Sequence, residues 1–499
     1  MMLINPILPG FYPDPSVCRK DDDYYLVTST FEYFPGVPIF HSKDFVHWHQ
    51  IGHVLDRPEQ LELNGLNPSR GIYASSIFYH EGRFYMITTL VGNAPYWENV
   101  NFYVWAEDPA GPWSDPVIIQ GAEGIDPSLV FDGDKVYYLG NCRPDPDHPT
   151  SARHIWMQEL ELTTGKLLGE RYTLLTDGAM RGAPTPEGAH IYHIGDWYYL
   201  MIAEGGTAHY HSVTIFRSHQ VTGPYEANPR NPLITHRNLR WDYPINSTGH
   251  ADLIQLANGE WWAVLLASRP DGGDYRNLGR ETFAVPVIWE DEWPVFSPDT
   301  GHVEFSYPAP KLPAFTPPSD EGLEWITVRT PHKKYYEEID DGLRLFMMPE
   351  AITGLQHCAF RGRRQQHMCY CFEADMQCDL QGAEEAGIVL LMNHKFHLRF
   401  VLRQGRLQVI RCYNGEETVL GEKKVDKAMI HIKVETQYQN INFYADGQLV
   451  AGTVDGRLLS KEIAGGFTGT ILGMYASSKG QQSENYVDFY KILYQGLKE

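Results

Sequence analysis

Three carboxylates stand where short apolar runs begin: Asp14 in GFYPDPSVC, Asp126 in GIDPSLVFD and Glu187 in TPEGAHIYH. Asp14 lies between two prolines, which restrict the backbone on both sides. Asp before Pro is a common turn opener, and that reading accounts for Asp14 or Asp126 singly. It accounts poorly for Glu187, because Glu is a weak turn former. Brought together, three carboxylates repel one another, and at least one holds its proton to higher pH. Such a cluster has two uses. Oxygen ligands suit a hard cation such as calcium. Alternatively, a protonated carboxylic acid and an ionised carboxylate carry out acid/base hydrolysis, as cleavage of a glycosidic bond requires. A third carboxylate would then keep the acid protonated.

A repeat would bring them together. Five segments share one layout: DPSVCRKDDDYYLVTS from Asp14, ASSIFYHEGRFYMITT from Ala74, DPSLVFDGDKVYYLGN from Asp126, EGAHIYHIGDWYYLMIA from Glu187 and ADLIQLANGEWWAVLLA from Ala251. Each reads as an apolar strand, a polar turn and an aromatic strand that starts ten residues in, at Tyr24, Phe84, Val136, Trp197 and Trp261. The starts are 60, 52, 61 and 64 residues apart. That periodicity predicts radial repetition, a five-bladed β-propeller over residues 1–300. A β-sandwich with accidental similarity is the competing reading, and the constant spacing speaks against it. In a propeller the innermost strands line the axis. Asp14, Ala74, Asp126, Glu187 and Ala251 then become equivalent, with His250 one residue before the last.

Seven prolines between 294 and 318 predict a stiff connector outside any sheet ladder, with a linker at 301–320. From 321 to 499 alternating strands resume, as in HLRFVLRQGRLQVIRCY and HIKVETQYQNINFYADGQL, with hairpin turns at RQGR and ADGQ. This predicts a β-sandwich, so the fold class is all-β.

Composition narrows the partners. The chain has 499 residues, enough for two domains, and a net charge of −22. That charge repels phosphate backbones and makes nucleic acid an unexpected partner. Aromatic residues make up 13% of the chain, which suits both strand packing and stacking on sugar faces. Seven scattered cysteines without a CxxC pair read as reduced, packed thiols. The start, MMLINPILPGF, lacks a basic n-region and a long apolar stretch. Neither a secretory signal nor a membrane span is expected, and the cytoplasm is the expected compartment.

The stretches INPILPGFYPDPSVC, TSTFEYFPGVPIFHSKDFVHW, GIDPSLVFD, TPEGAHIYHIGDWYYLMIAEGGT, GHADLIQ and LGRETF together resemble glycoside hydrolase family 43. The likeness is to its two-domain β-xylosidase and α-L-arabinofuranosidase branch. FTGTILGMYASS extends it into the family's accessory concanavalin-like sandwich. The resemblance implies inverting hydrolysis, with Asp14 as general base, Glu187 as general acid, and Asp126 orienting the acid and raising its pKa. An inverting pair should stand about 6.5–9.5 Å apart to admit a water. It further implies that Arg280, in LGRET, reaches sugar hydroxyls. Phe31 and His211 fall where the family shapes the pocket, and packing without ligand contact is the alternative for each. His250 matches a position near the axis where several members hold a hydrated calcium. It is a candidate water-mediated metal residue, and a satisfied core histidine is the alternative. No cofactor is implied for the chemistry itself. Family members often carry Trp-Ala-Pro where this chain has Tyr73-Ala74-Ser75, so the pocket floor, with Tyr73, is expected to differ.

The expected activity is exo-acting release of terminal xylose from short β-1,4-xylo-oligosaccharides, with arabinose-substituted oligosaccharides as second substrates. The alternatives are a primarily α-L-arabinofuranosidase or arabinan-cleaving enzyme and a non-catalytic carbohydrate-binding propeller. Assembly into a homo-oligomer is left open.

Overall fold

The computed structural model of the chain describes residues 1–93, 99–144, 153–180, 185–319 and 322–498. Among them, helix is confined to the four-residue Lys461–Ala464 and two 3-10 turns, and all other regular structure is strand. No described helix is long and apolar enough to cross a membrane.

The five repeats fold as antiparallel hairpins. They pair Ser16–Lys20 with Asp23–Val27, Ser76–His80 with Arg83–Val91, Ser128–Asp132 with Lys135–Cys142, Glu187–Ile194 with Trp197–Glu204, and Asn246–Gln255 with Trp261–Ser268. The second strands begin at the expected residue or one before it. Four hairpins turn on two residues: Asp21-Asp22, Glu81-Gly82, Gly133-Asp134 and Gly195-Asp196. Asp21, Glu81, Gly82, Gly133 and Gly195 there have positive φ, as tight hairpins require.

Each hairpin extends into its own antiparallel sheet of four or five strands. First strands of successive sheets pack against each other, and that of the fifth sheet returns to that of the first. The chain start ties the ring to its last sheet: Met2–Ile4 pairs with Ser306–Pro308, and the Asn5 amide donates to the Ala284 and Glu304 carbonyls at 2.9 Å.

The proline-rich stretch departs from expectation, because it holds strands. Pro294 lies in Trp293–Phe296 and Pro308 in Ser306–Pro308. Both strands have a neighbour on one side alone, so the missing N–H can face outward and leave no ladder bond unmade. The expected boundary at residues 320 and 321 lies outside the described residues.

The C-terminal strands form a seven-stranded and a six-stranded antiparallel sheet. Phe372, Leu390, Phe400, Phe443, Met474 and Phe489 are fully buried in one core shared by the two sheets. Both expected hairpins are present: Phe396–Arg403 with Arg406–Tyr413, and Asn440–Ala445 with Gln448–Asp455. A second buried cluster joins the two halves of the chain, with Phe11, Phe31 and Tyr33 packed among Val328, Phe360, Ile471 and Tyr475. The strand Tyr33–Phe34 also pairs with Thr327–Val328. The sandwich is therefore fused to the face that carries the Asp14 loop, and that contact positions the site.

Candidate active site

Asp14 and Asp126 each stand two residues before the first strand of their sheet. Both have left-handed backbone, with φ of 55° and 54°. This is uncommon for a residue with a side chain, and Asp tolerates it better than most. The same unusual backbone at equivalent points of two repeats gives both carboxylates the same presentation. Glu187 opens its own strand, and a register shift separates it from His190.

The three carboxylates sense one another but are held differently. Asp14 is 5% exposed. Arg280 Nη1 donates to its Oδ1 at 2.6 Å, and the Ser29 hydroxyl donates to its Oδ2 at 2.6 Å. Burial opposes ionisation of Asp14, but Arg280, then His250, Ser29 and His211, outweigh it and hold the carboxyl below its ordinary range. Asp126 goes the other way. Burial, then the negative charges of Glu187 and Asp14, push it well up, against weaker opposition from Arg153 and Arg280. Glu187 is also raised, by burial first and by Asp14, although Arg153 Nη1 donates to its Oε2 at 2.6 Å. Asp126 and Glu187 therefore act as a pair that retains a proton beyond the normal carboxylate range, while Asp14 stays ionised.

The other expected residues gather around this group. Arg280 is 5% exposed, and its guanidinium carbon lies 5.7 Å from the Phe31 ring centre. Expected to reach sugar hydroxyls, it is engaged on Asp14 and on the Thr207 hydroxyl at 3.1 Å, and only its Nε lacks a partner among the described residues. Phe31 packs on Tyr73 with ring centres 5.0 Å apart. The Tyr73 hydroxyl donates to the Ser69 carbonyl at 3.0 Å and accepts from Arg70, so the ring is what Tyr73 offers to a ligand. His211 is buried, and burial pushes it down to about 3. Its Nδ1 lies 3.2 Å from the Ser247 carbonyl, which makes Nδ1 the protonated nitrogen and leaves Nε2 a lone pair without a partner among the described residues. His250 is pushed down to about 4, chiefly by burial, and a Cβ on Gly188 would come within 2.8 Å of its ring. Both imidazoles are thus neutral at ordinary pH.

The donor set at His250 is a poor direct match to calcium. Calcium takes six to eight oxygen ligands, and His250 offers a nitrogen. No group of three or more His, Cys, Asp or Glu among the described residues is spaced to hold a metal ion.

Four residues of this site escaped the sequence reading. Arg153 pairs with Glu187 across 34 residues of chain, and no motif announces it. Phe467 comes from the sandwich, with its ring 6.0 Å from Phe31 and tilted by 25°, and 5.8 Å from the Arg280 guanidinium carbon. It opens the FTGTILGMYASS stretch, so its signal was present but pointed only to the fold. Lys461, also from the sandwich, donates to the Thr207 carbonyl at 2.9 Å. Thr207 itself ends the AEGGT motif. A separate cavity of about 650 Å³, lined by Tyr275 from a connection within the fifth sheet and by Tyr413, Asp455 and Arg457 of the sandwich among others, contains none of these residues.

A ring of sheets with buried acids of opposed protonation, capped by a sandwich, defines a carbohydrate-hydrolase class of site. The profile of Glycosyl hydrolases family 43 matches residues 3–294, and that of the Beta xylosidase C-terminal Concanavalin A-like domain matches residues 315–495. The chain belongs to glycosyl hydrolase family 43. It is 41% identical to a xylosidase/arabinosidase of Butyrivibrio fibrisolvens, over 97% of this chain and 98% of that one. It is 40% identical to the non-reducing end α-L-arabinofuranosidase BoGH43B of Bacteroides ovatus, over 97% and 93%. Among solved structures, the xyloglucan-locus GH43B of Bacteroides ovatus superposes with a TM-score of 0.91 at 36% identity, each chain covered in full. A xylan β-1,4-xylosidase from Bacillus halodurans superposes with 0.91 at 31% identity, over 99% of this chain and 100% of that one. The protein is a glycoside hydrolase of propeller-plus-sandwich type.

Proposed function

We propose that this enzyme removes terminal xylose from short β-1,4-xylo-oligosaccharides, with α-L-arabinofuranosidase as a second activity, by a single inverting displacement. The five sheets, whose first strands meet in a closed ring, are read as the blades of a five-bladed propeller with the carboxylates at its axis.

The observation that carries the mechanism is the opposed bias of the acids. Asp14 is held ionised by Arg280, and the Asp126–Glu187 pair retains a proton through burial, the charge of Glu187 on Asp126 and the charge of Asp14 on both. Asp14 takes a proton from water as the water oxygen attacks the anomeric carbon. The glycosidic C–O bond breaks on the opposite face, and Glu187 delivers its proton to the departing oxygen. Asp126 raises the acid's affinity for that proton. Arg153 opposes it, so Glu187 must slacken its grip on Arg153 as it takes up the proton. Phe31, Tyr73 and Phe467 form the apolar wall against which a sugar ring would lie.

Exo action is supported by the sandwich, which brings Phe467 against Phe31 and beside Arg280. Xylose is supported by the relatives named xylosidase. The second reading, a primarily arabinofuranoside-cleaving enzyme, is favoured by the relative named for that activity alone. A non-catalytic binding propeller would have no use for acids held in opposite protonation states.

The deciding experiment compares aryl xyloside, aryl arabinofuranoside and natural xylo-oligosaccharides with wild type and Asp14→Ala, and follows the first product by proton NMR. Inverted product, with turnover lost in the variant, is expected. Initial retention of configuration would sink the single displacement.

A further inference from the structure

Lys461 opens the short helix Lys461–Ala464 of the sandwich, yet its bond is to the other domain. Its Nζ donates to the Thr207 carbonyl at 2.9 Å. The hydroxyl of the same Thr207 accepts from Arg280 Nη1 at 3.1 Å, and that Nη1 is 2.6 Å from Asp14 Oδ1. One residue thus links a sandwich cation to the guanidinium that holds the candidate base.

Thr207 needs a pin. It follows Gly205 and Gly206, both with positive φ, in the connection between the strands Trp197–Glu204 and Ser212–Ser218. Two adjacent glycines leave this stretch with the widest choice of backbone conformations. The Lys461 ammonium is also placed at a cost. Burial, with repulsion from Arg280 and Arg276, pushes it down to about 8. Among the described residues it makes no ion pair, because its neighbour Glu462 is engaged by Arg276 at 2.7 Å. Nζ also lies 6.0 Å from the centre of the Phe467 ring. The hydrogen bond to Thr207 is the directed contact of a cation kept in such surroundings, and it points to a role at that bond.

We propose that Lys461 is a positioning residue for the reaction: it fixes Thr207, Thr207 fixes Arg280, and Arg280 fixes and ionises Asp14. The sandwich would then do more than supply Phe467, because it also sets the geometry and charge of the base. The proposal rests on the reading of Asp14 as general base.

The test measures the acid limb of the pH–rate profile in the full chain. Asp14 is faced by Arg280, His250, His211, Asp126 and Glu187, and the variants change none of these. Lys461→Met should lower kcat/KM by about 10- to 100-fold, the scale on which small misplacements act, and move the acid limb upward. Losing the Lys461 charge would by itself move the limb the same way, so the uncharged change Thr207→Val is decisive. It should move the limb in the same direction, Thr207→Ser should recover it, and the Lys461→Met/Thr207→Val double variant should move it no further than the larger single change. A limb left in place by Thr207→Val, or shifts that add in the double variant, would overturn the proposal. Asp14→Asn is measured alongside. If it retains the wild-type acid limb, the reading of Asp14 as base fails, whatever the Lys461 series shows.

Discussion

Arg280 and Asp14 are separated by 266 residues, yet their side chains meet at 2.6 Å with both residues 5% exposed. One stands before the first strand of the first sheet and the other just before the third strand of the fifth sheet. They touch because the fifth sheet packs against the first. Ring closure and ionisation of Asp14 are in this sense one event.

The pH–rate profile should be a bell. Its acid limb reports Asp14, which Arg280 holds below the ordinary range, and its alkaline limb reports loss of the proton kept by Asp126 and Glu187. Arg280→Met should raise the acid limb by about a unit or more, since an adjacent opposite charge lowers a carboxyl by 1–3 units. Initial rates on an aryl xyloside from about pH 2 to 9, a range that reaches below the ordinary carboxylate value, check this, and a flat profile would count against acid/base catalysis.

Glu187→Ala should separate substrates by leaving group. General acid catalysis is worth about 10²–10⁴-fold where the leaving oxygen needs a proton, and much less where it does not. Natural oligosaccharides should lose rate on that scale, and an activated aryl glycoside far less. Equal losses on both would remove Glu187 as the acid.

Asp126→Asn should stabilise the fold at alkaline pH while damaging catalysis. The folded-state pKa of Asp126 is raised, so its contribution to stability is fully present below the unfolded pKa and is lost as pH rises through the folded one. Replacing it with a neutral isostere removes that loss. The gain in Tm over wild type should be largest above neutrality and shrink as the buffer is made acidic. A gain that grows toward acid would contradict the raised pKa.

Phe467→Ala tests the wall that the sandwich supplies. Its ring lies against Phe31 and near Arg280. Removing it should raise KM for short oligosaccharides by about tenfold, through lost ring contact with the sugar, with a smaller change in kcat. The penalty should fade as the substrate lengthens. A variant with wild-type KM on the shortest oligosaccharide would place Phe467 outside the pocket.

Much of the fold was legible because its unit is local. A ten-residue hairpin with an Asp or Gly turn writes its own pattern, and five copies give the repeat away. Asp14, Asp126 and Glu187 could be found because each sits at the same point of that pattern. Arg153 and Lys461 could not, since each meets its partner across the chain with no shared spacing. Pro294 and Pro308 misled for a related reason. Proline composition is visible along the chain, whereas an edge place in a sheet exists only after the sheet has formed.

By itself, then, the sequence determined where strands turn, how many hairpins repeat and which points of the repeat carry acids. These depend on neighbours along the chain, through backbone preference and alternation of apolar side chains. What the acids are able to do was decided only by the tertiary structure. A carboxyl's proton affinity depends on burial and on charges a few ångströms away through space. Only the closed ring sets Arg280 against Asp14, leaves Asp126 and Glu187 to share repulsion, and brings Phe467 and Lys461 in from the second domain.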